Sequence, residues 1–336
     1  MIPSGVVLLL IFPSLSQVDE ISFNDIEFTT PQKGFCVGDS GAVFTTADSG
    51  YTWTRRNLSI AGNCEEVAFS DSLHGWILVT QRDSTAVSNS LLRTTDGGAT
   101  WSRVELDTMP CDCRNLNGAY IVRDLYPFGS DTLFLVTNIL LKTYDAGRTW
   151  VRSNSFPAGH SILFTSARRG FAYMGEWFDW GLGRGSSYVT EDGGDTWTLI
   201  SNQFLARVLS APKDGTSMWM LDIDLEFGTK GVMVFRVLAD TCVLIARARL
   251  SEGRISEAGG SDIFALNERT GWAVGGGVWR TDDGGSNWKL IYTFRPDQTP
   301  KKARFTSPRR GFVVGPARTF LHTSDGGHSW TDVDFK

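Results

Sequence analysis

The 336-residue sequence predicts an all-β fold: one seven-bladed β-propeller with four antiparallel strands per blade. Three observations lead there. A nine-residue box recurs six times, a second short apolar element precedes each copy, and helical periodicity is absent. The copies read "TTADSGYTW", "RTTDGGATW", "KTYDAGRTW", "VTEDGGDTW", "RTDDGGSNW" and "HTSDGGHSW". Their shared aspartates are Asp48, Asp96, Asp145, Asp192, Asp283 and Asp325, at intervals of 48, 49, 47, 91 and 42 residues. The long interval holds a worn copy, "VLADTCVLI", centred on Asp240. Seven repeats of about 46 residues result, which is the length of a propeller blade.

Each element has a local reason. Upstream of the boxes lie "KGFCVG", "HGWILV", "DTLFLV", "RGFAYM", "TSMWML", "TGWAVG" and "RGFVVG", each a turn residue leading into an apolar strand. Ahead of these run first strands such as "DIEFTT", "EEVAFS", "SILFTS" and "KARFTS". A fourth strand follows the box, as in "NWKLIY". The box therefore falls at the hairpin between third and fourth strands. There an Asp accepts backbone N–H bonds as an Asx-turn does, and the glycines supply positive φ. The closing tryptophans (Trp53, Trp101, Trp150, Trp197, Trp288, Trp330) are expected to fill space between neighbouring sheets. A carboxylate repeated in six equivalent places is expected to be structural, so no catalytic residue is assigned.

Composition bounds the function. Thirty-seven acidic residues against 32 Lys and Arg give a net charge of −5. That argues against a general nucleic-acid binder, which needs a basic surface to release counterions. The first residues, "MIPSGVVLLLIFPSLSQVDE", carry an apolar run from Val6 to Phe12 and small residues at Ser14 and Ser16. They read as a secretory signal over 1–16, cleaved after Ser16, with the propeller over 17–336 and an exported location, periplasmic or extracellular. The n-region lacks Lys and Arg, and the competing reading is a buried N-terminal strand. Five cysteines occur: Cys36, Cys64, Cys111, Cys113 and Cys242. "CDC" at 111–113 has no second ligand pair to complete a tetrahedral metal site. Loop cysteines, one of them bridging to a neighbouring blade, are expected; no metal and no cofactor are assigned.

The pattern [ST]-x-D-x-G-x-T-W, as in "TTDGGATW" and "TEDGGDTW", resembles the Asp-box or BNR repeat. That repeat occurs in sialidases, sortilin-type receptor propellers, xyloglucan-degrading glycosidases and the photosystem II assembly and stability factor family. The pairing "RGFVVG…HTSDGGHSW" and the single ring are most similar to the last group, whose members include exported bacterial proteins. The resemblance implies a non-enzymatic, monomeric propeller that binds another polypeptide, such as a component of an envelope or membrane complex. That family's binding surface is basic. The nearest matches here are the "RRG" segments at Arg168 and Arg169 and at Arg309 and Arg310, in first-to-second strand turns.

Irregular segments are where binding is expected. Second-to-third loops are long in blade two ("TQRDSTAVSNS"), blade four ("GEWFDWGLGRGSS") and blade five ("DIDLEFGTK"), all on the rim opposite the boxes. Glu176, Trp177, Phe178, Asp179, Trp180 and Arg184 form the sharpest candidate, able to stack on a sugar or clasp an apolar peptide. The competing reading folds those rings back as a small satellite core. Acidic residues on that rim (Asp83, Asp222, Asp224, Glu226) favour a cationic partner. The alternative function is a carbohydrate-binding protein or a sialidase-like glycoside hydrolase using the same loop. Against a sialidase, the stretch from Gln17 to Phe35 has no Arg to grip a substrate carboxylate.

Overall fold

The computed structural model describes residues 21–82, 87–104, 124–137, 139–153, 161–175, 185–201, 206–212, 217–224, 229–237, 242–250, 262–295 and 300–335, with a few single positions between them. Short apolar runs bounded by turn residues become strands, and each set of four pairs antiparallel with its sequence neighbours. The first sheet is β1 (Phe23–Phe28), β2 (Gly34–Gly38), β3 (Ala42–Thr46) and β4 (Thr54–Arg56). Next come β5 (Asn63–Phe69), β6 (Gly75–Arg82), β7 (Val87–Thr94) and β8 (Ser102–Val104). The third is β9 (Asp124–Phe128), β10 (Thr132–Val136), β11 (Leu140–Thr143) and β12 (Val151–Arg152). The fourth is β13 (Ser161–Phe164), β14 (Gly170–Gly175), β15 (Gly185–Thr190) and β16 (Thr198–Ser201).

Then follow β17 (Ala206–Ser210), β18 (Ser217–Asp224), β19 (Thr229–Val237) and β20 (Cys242–Leu250). After them come β21 (Asp262–Ala265), β22 (Gly271–Val274), β23 (Gly277–Thr281) and β24 (Lys289–Thr293). The last sheet is β25 (Lys302–Phe305), β26 (Gly311–Val314), β27 (Phe320–Thr323) and β28 (Thr331–Asp332). The first strands pack in sequence, β1 on β5, β5 on β9, and onward to β25, which returns to β1. The second strands are the most buried: GFCVG, GWAV and GFVV are buried at every position. Stacking sheet on sheet is what covers both faces of each.

The structure corrects the expectation of a seven-bladed propeller with an Asp-box turn between the third and fourth strands of its blades. Among the described residues the Asp-box blades number six. The sheet β17–β20 is built differently. Its fourth strand runs to 9 residues, where the fourth strands of the other sheets have two to five. The physical reason is in the worn repeat: "VLADTCVLI" has no glycine for the positive-φ turn and no tryptophan to insert. Residues 238–241, Asp240 among them, lie outside the described residues.

The last sheet takes all four of its strands from consecutive sequence, β25–β28. Across the seam to the first sheet, Trp53 forms a parallel bridge with Phe335. Phe335 stacks on Phe23 at 5.4 Å between centroids and also meets Phe44 and Phe320. The Phe23 N–H donates to Gly315 O across the same seam. The cysteine expectation also changes. Cys36 and Cys64 are free, buried strand residues rather than loop residues, and burial pushes the Cys64 thiol up to about 12.

Candidate functional site

The box is the first feature whose chemistry can be read. In the second copy the Thr94 hydroxyl donates to Asp96 Oδ1 at 2.8 Å and accepts from Gly98 N–H at 2.8 Å. Asp96 then accepts Thr100 N–H and, through Oδ2, the Thr100 hydroxyl at 2.6 Å. The same set recurs at Asp48, Asp145, Asp192, Asp283 and Asp325, with Asn287 or Ser329 standing in for the closing Thr. Hydrogen bonds led by the Thr100 hydroxyl hold the Asp96 carboxyl down at about 2, and Asp145 is held at about 2 by Thr149 in the same way. Every box carboxylate is thus consumed by its own turn.

The glycines have two duties. Gly98 has φ of 84°, and a methyl group added there would lie 2.5 Å from the Phe35 ring of the preceding blade. Gly50 stands against Phe312 in the same way. The box tryptophans share that seam: Trp101 meets Phe35 and Phe69 edge-on, and Trp288 meets Trp219. The boxes also lie on the rim of the first-to-second strand turns. Gly97 N–H donates to Leu73 O, Gly193 N–H to Arg168 O, and Gly326 N–H to Arg309 O. Arg168, Arg169, Arg309 and Arg310 therefore sit on the box rim, and Arg309 and Arg168 each present a backbone carbonyl to a box.

The aromatic candidates Glu176, Trp177, Phe178, Asp179, Trp180 and Arg184 fall between β14 and β15, outside the described residues, as do Asp83, Glu226, Cys111 and Cys113. Asp222 and Asp224 lie at the end of β18. Among the described residues, no group of three or more His, Cys, Asp and Glu is arranged to hold a metal ion.

Sequence reasoning missed a polar cluster on the inner strands. Arg304 on β25 pairs with Asp262 at 3.1 Å, Glu27 at 3.7 Å and Asp25 at 3.8 Å. Asp25 Oδ2 also accepts Val67 N–H from β5, and Asp262 Oδ2 accepts Ala303 N–H from β25. Each carboxylate thereby satisfies an edge N–H of the next sheet. Nearby, Glu66 and Asp124 share a hydrogen bond. Burial, reinforced by the Asp124 charge, raises the Glu66 carboxyl well above its ordinary range; burial raises Asp124 too. The Tyr126 hydroxyl donates to Asp124 at 2.5 Å. A visible signal existed: "DIEF", "EVAF" and "KARF" put a charged residue three places before a recurring phenylalanine in a strand otherwise fit for burial.

Also unforeseen were cationic staples between sheets. Three residues before its box aspartate, Arg93 reaches Ser130 O and Asp131 in the next blade, both at 2.8 Å. Lys142, 1% exposed, donates to Gly193 O at 3.1 Å and pairs with Asp195. Arg280 donates to Pro308 O at 3.0 Å. The first blade has Thr45 at this place. There Lys33, from the turn before β2, supplies the cation: a methyl on Gly97 would lie 2.7 Å from both Lys33 Nζ and Ser72 O. The space left at Thr45 is a cavity of about 470 Å³, bordered by Lys33, Phe35, Thr54, Arg56 and Ala99.

Comparison with known proteins agrees with this architecture. Residues 14–117 match the sequence model of the photosynthesis system II assembly factor YCF48 family. A curated relative, photosystem II assembly lipoprotein Ycf48 of Synechococcus sp. (strain CC9902), is 32% identical over 87 residues, 25% of this chain and 24% of the relative. The matched segment thus spans about a quarter of that protein. Among solved structures, YCF48 bound to a D1 peptide superposes with a TM-score of 0.64 at 20% identity, covering 91% of this chain and 92% of the other. YCF48 from Cyanidioschyzon merolae gives 0.64 at 22% identity, covering 91% and 96%. A xyloglucanase of Xanthomonas campestris also gives 0.64, at 13% identity, over 94% of this chain but 55% of the enzyme. Box geometry, sequence match and superposition together identify this chain as an Asp-box β-propeller resembling the photosystem II assembly factor YCF48 family.

Proposed function

We propose that the chain is an exported, non-catalytic scaffold that binds a protein partner during assembly of an envelope or membrane complex. The observation that carries this reading is the spent state of the box carboxylates, each engaged by its own turn. No periodic acid remains for chemistry, and what varies from sheet to sheet is loop length on the rim opposite the boxes. A similar propeller bound to a D1 peptide supports a polypeptide as the class of ligand. The binding residues proposed are those of the loop joining β14 and β15: Trp177, Phe178 and Trp180, with Glu176, Asp179 and Arg184 at their flanks.

The test is a pull-down from envelope extract with the full chain and with Trp177→Ala/Trp180→Ala. The scaffold reading expects one partner that the double variant loses while its melting temperature stays unchanged. A fluorogenic glycoside panel should be silent. Turnover abolished by Glu176→Gln or Asp179→Asn would overturn the reading in favour of a glycoside hydrolase.

A further inference from the structure

In three sheets a cation on the third strand, three residues before the box aspartate, crosses to the next sheet: Arg93, Lys142 and Arg280. The boxes of Asp192 and Asp325 have Val189 and His322 at that place. At the first seam that position is Thr45, and the crossing cation, Lys33, comes instead from the adjacent turn. Beside the short Thr45 side chain lies a cavity of about 470 Å³. That size lies in the range of pockets that take small ligands or a side chain.

Two cations and one ionised carboxylate, Asp48, border it. Lys33 and Arg56 flank the opening; Thr45 and Thr54 add hydroxyls; Phe35 and Ala99 provide apolar wall. Among the described residues neither cation pairs with a carboxylate. Lys33 lies over the Phe35 ring at 5.8 Å, and Arg56 donates to Ala99 O at 3.3 Å. Asp48 also borders the cavity, but Thr46 and Thr52 occupy its two oxygens. A guanidinium fork and an ammonium facing one small cavity match a carboxylate, which can accept two parallel N–H bonds from the fork.

We infer that this seam cavity is a docking pocket for an acidic side chain of a partner polypeptide. It lies on the box side of the ring, and the inference does not depend on the role of residues 176–184. A glutamate would enter beside Thr45, meet Arg56 and Lys33, and lay its methylenes along Phe35.

The experiment measures fluorescence polarisation of two labelled hexapeptides against the full chain, one of alternating Glu and Ala, the other of Gln and Ala. The acidic peptide should bind at least about tenfold more tightly, and Arg56→Met should remove that margin. Thr45→Arg decides the matter. It adds positive charge to the face while filling the cavity with the side chain found at Arg93 and Arg280. Docking in the pocket requires Thr45→Arg to abolish the preference for the acidic peptide. Unchanged or tighter binding would mean diffuse attraction and overturn the inference, as would equal binding of the two peptides. Melting curves of each variant exclude unfolding as the cause, and inorganic phosphate as competitor separates a general anion site from one for carboxylates. Competition by phosphate at concentrations where acetate fails would also overturn it.

Discussion

Trp53 of the first box and Phe335 form a parallel bridge that joins the last sheet to the first. Trp53 is fully buried, and Phe335 packs on Phe23, Phe44 and Phe320. Among the described residues the seam is thus closed by that backbone bridge, by the Phe23 N–H bond to Gly315 O and by the packed aromatic rings. Phe335→Ala should cost about 2 kcal/mol, less than a fully buried ring because Phe335 is only half-buried. Urea denaturation measures it; a variant as stable as the parent would show that the ring closes by other means.

The box aspartates set the acid limit of the fold. Asp96 and Asp145 are held at about 2 against an ordinary 3.8, by hydrogen bonds that exist only when the hairpin is formed. A depressed folded-state value contributes stability above 3.8 that is lost as pH falls toward 2. Six boxes lose it together, so unfolding followed by tryptophan fluorescence should steepen between about pH 4 and pH 2. Asp96→Asn, which keeps the shape but not the charge, should flatten that slope measurably.

The Glu66–Asp124 pair acts in the opposite direction. Burial and the neighbouring acid raise the Glu66 carboxyl, with Asp25 also raising it and Lys302 lowering it. A raised folded-state value contributes stability below the ordinary 4.5 that is lost as pH rises through the raised value. Glu66→Gln should therefore be more stable than the parent at neutral pH and equal to it near pH 4. Chemical denaturation between pH 4 and pH 8 reads the crossing; parallel curves would rule out the shared proton.

The staples should be worth most where they are buried. Lys142→Met leaves Gly193 O without its ammonium donor and should cost about 2 kcal/mol. Asp195→Asn should cost much less, since that carboxylate is 64% exposed and its partner keeps the carbonyl. A thermal-shift comparison of the two variants tests the order.

The frame was legible because its signals are local. Thr94, Asp96, Gly98 and Trp101 lie within eight residues of one another, so a turn and its chemistry could be read from one line of sequence. The sheet β17–β20 was legible as a repeat but not in its construction, since "VLADTCVLI" keeps the spacing and loses the fastening residues. The staples were hidden for a different reason. Lys142 meets residues 51 and 53 positions away, and Lys33 replaces a cation that would have come from Thr45 twelve residues later. Which neighbour a cation reaches is decided by how sheets stack, and stacking leaves no mark in a single repeat. The Glu66–Asp124 contact joins positions 58 apart and was invisible for the same reason. The aromatic loop Glu176–Arg184 was the easiest segment to notice because its composition departs from every other second-to-third loop.

The carboxylates of Asp25 and Asp262 reach across to Val67 N–H and Ala303 N–H on the following first strands. An unpaired strand edge is ordinarily a template for addition of another chain. By occupying these donors from within, the molecule denies foreign strands a foothold at its hub. Strand addition is then left to the outer edges, where β4, β8, β12 and β28 offer only two or three residues to copy and β20 offers nine.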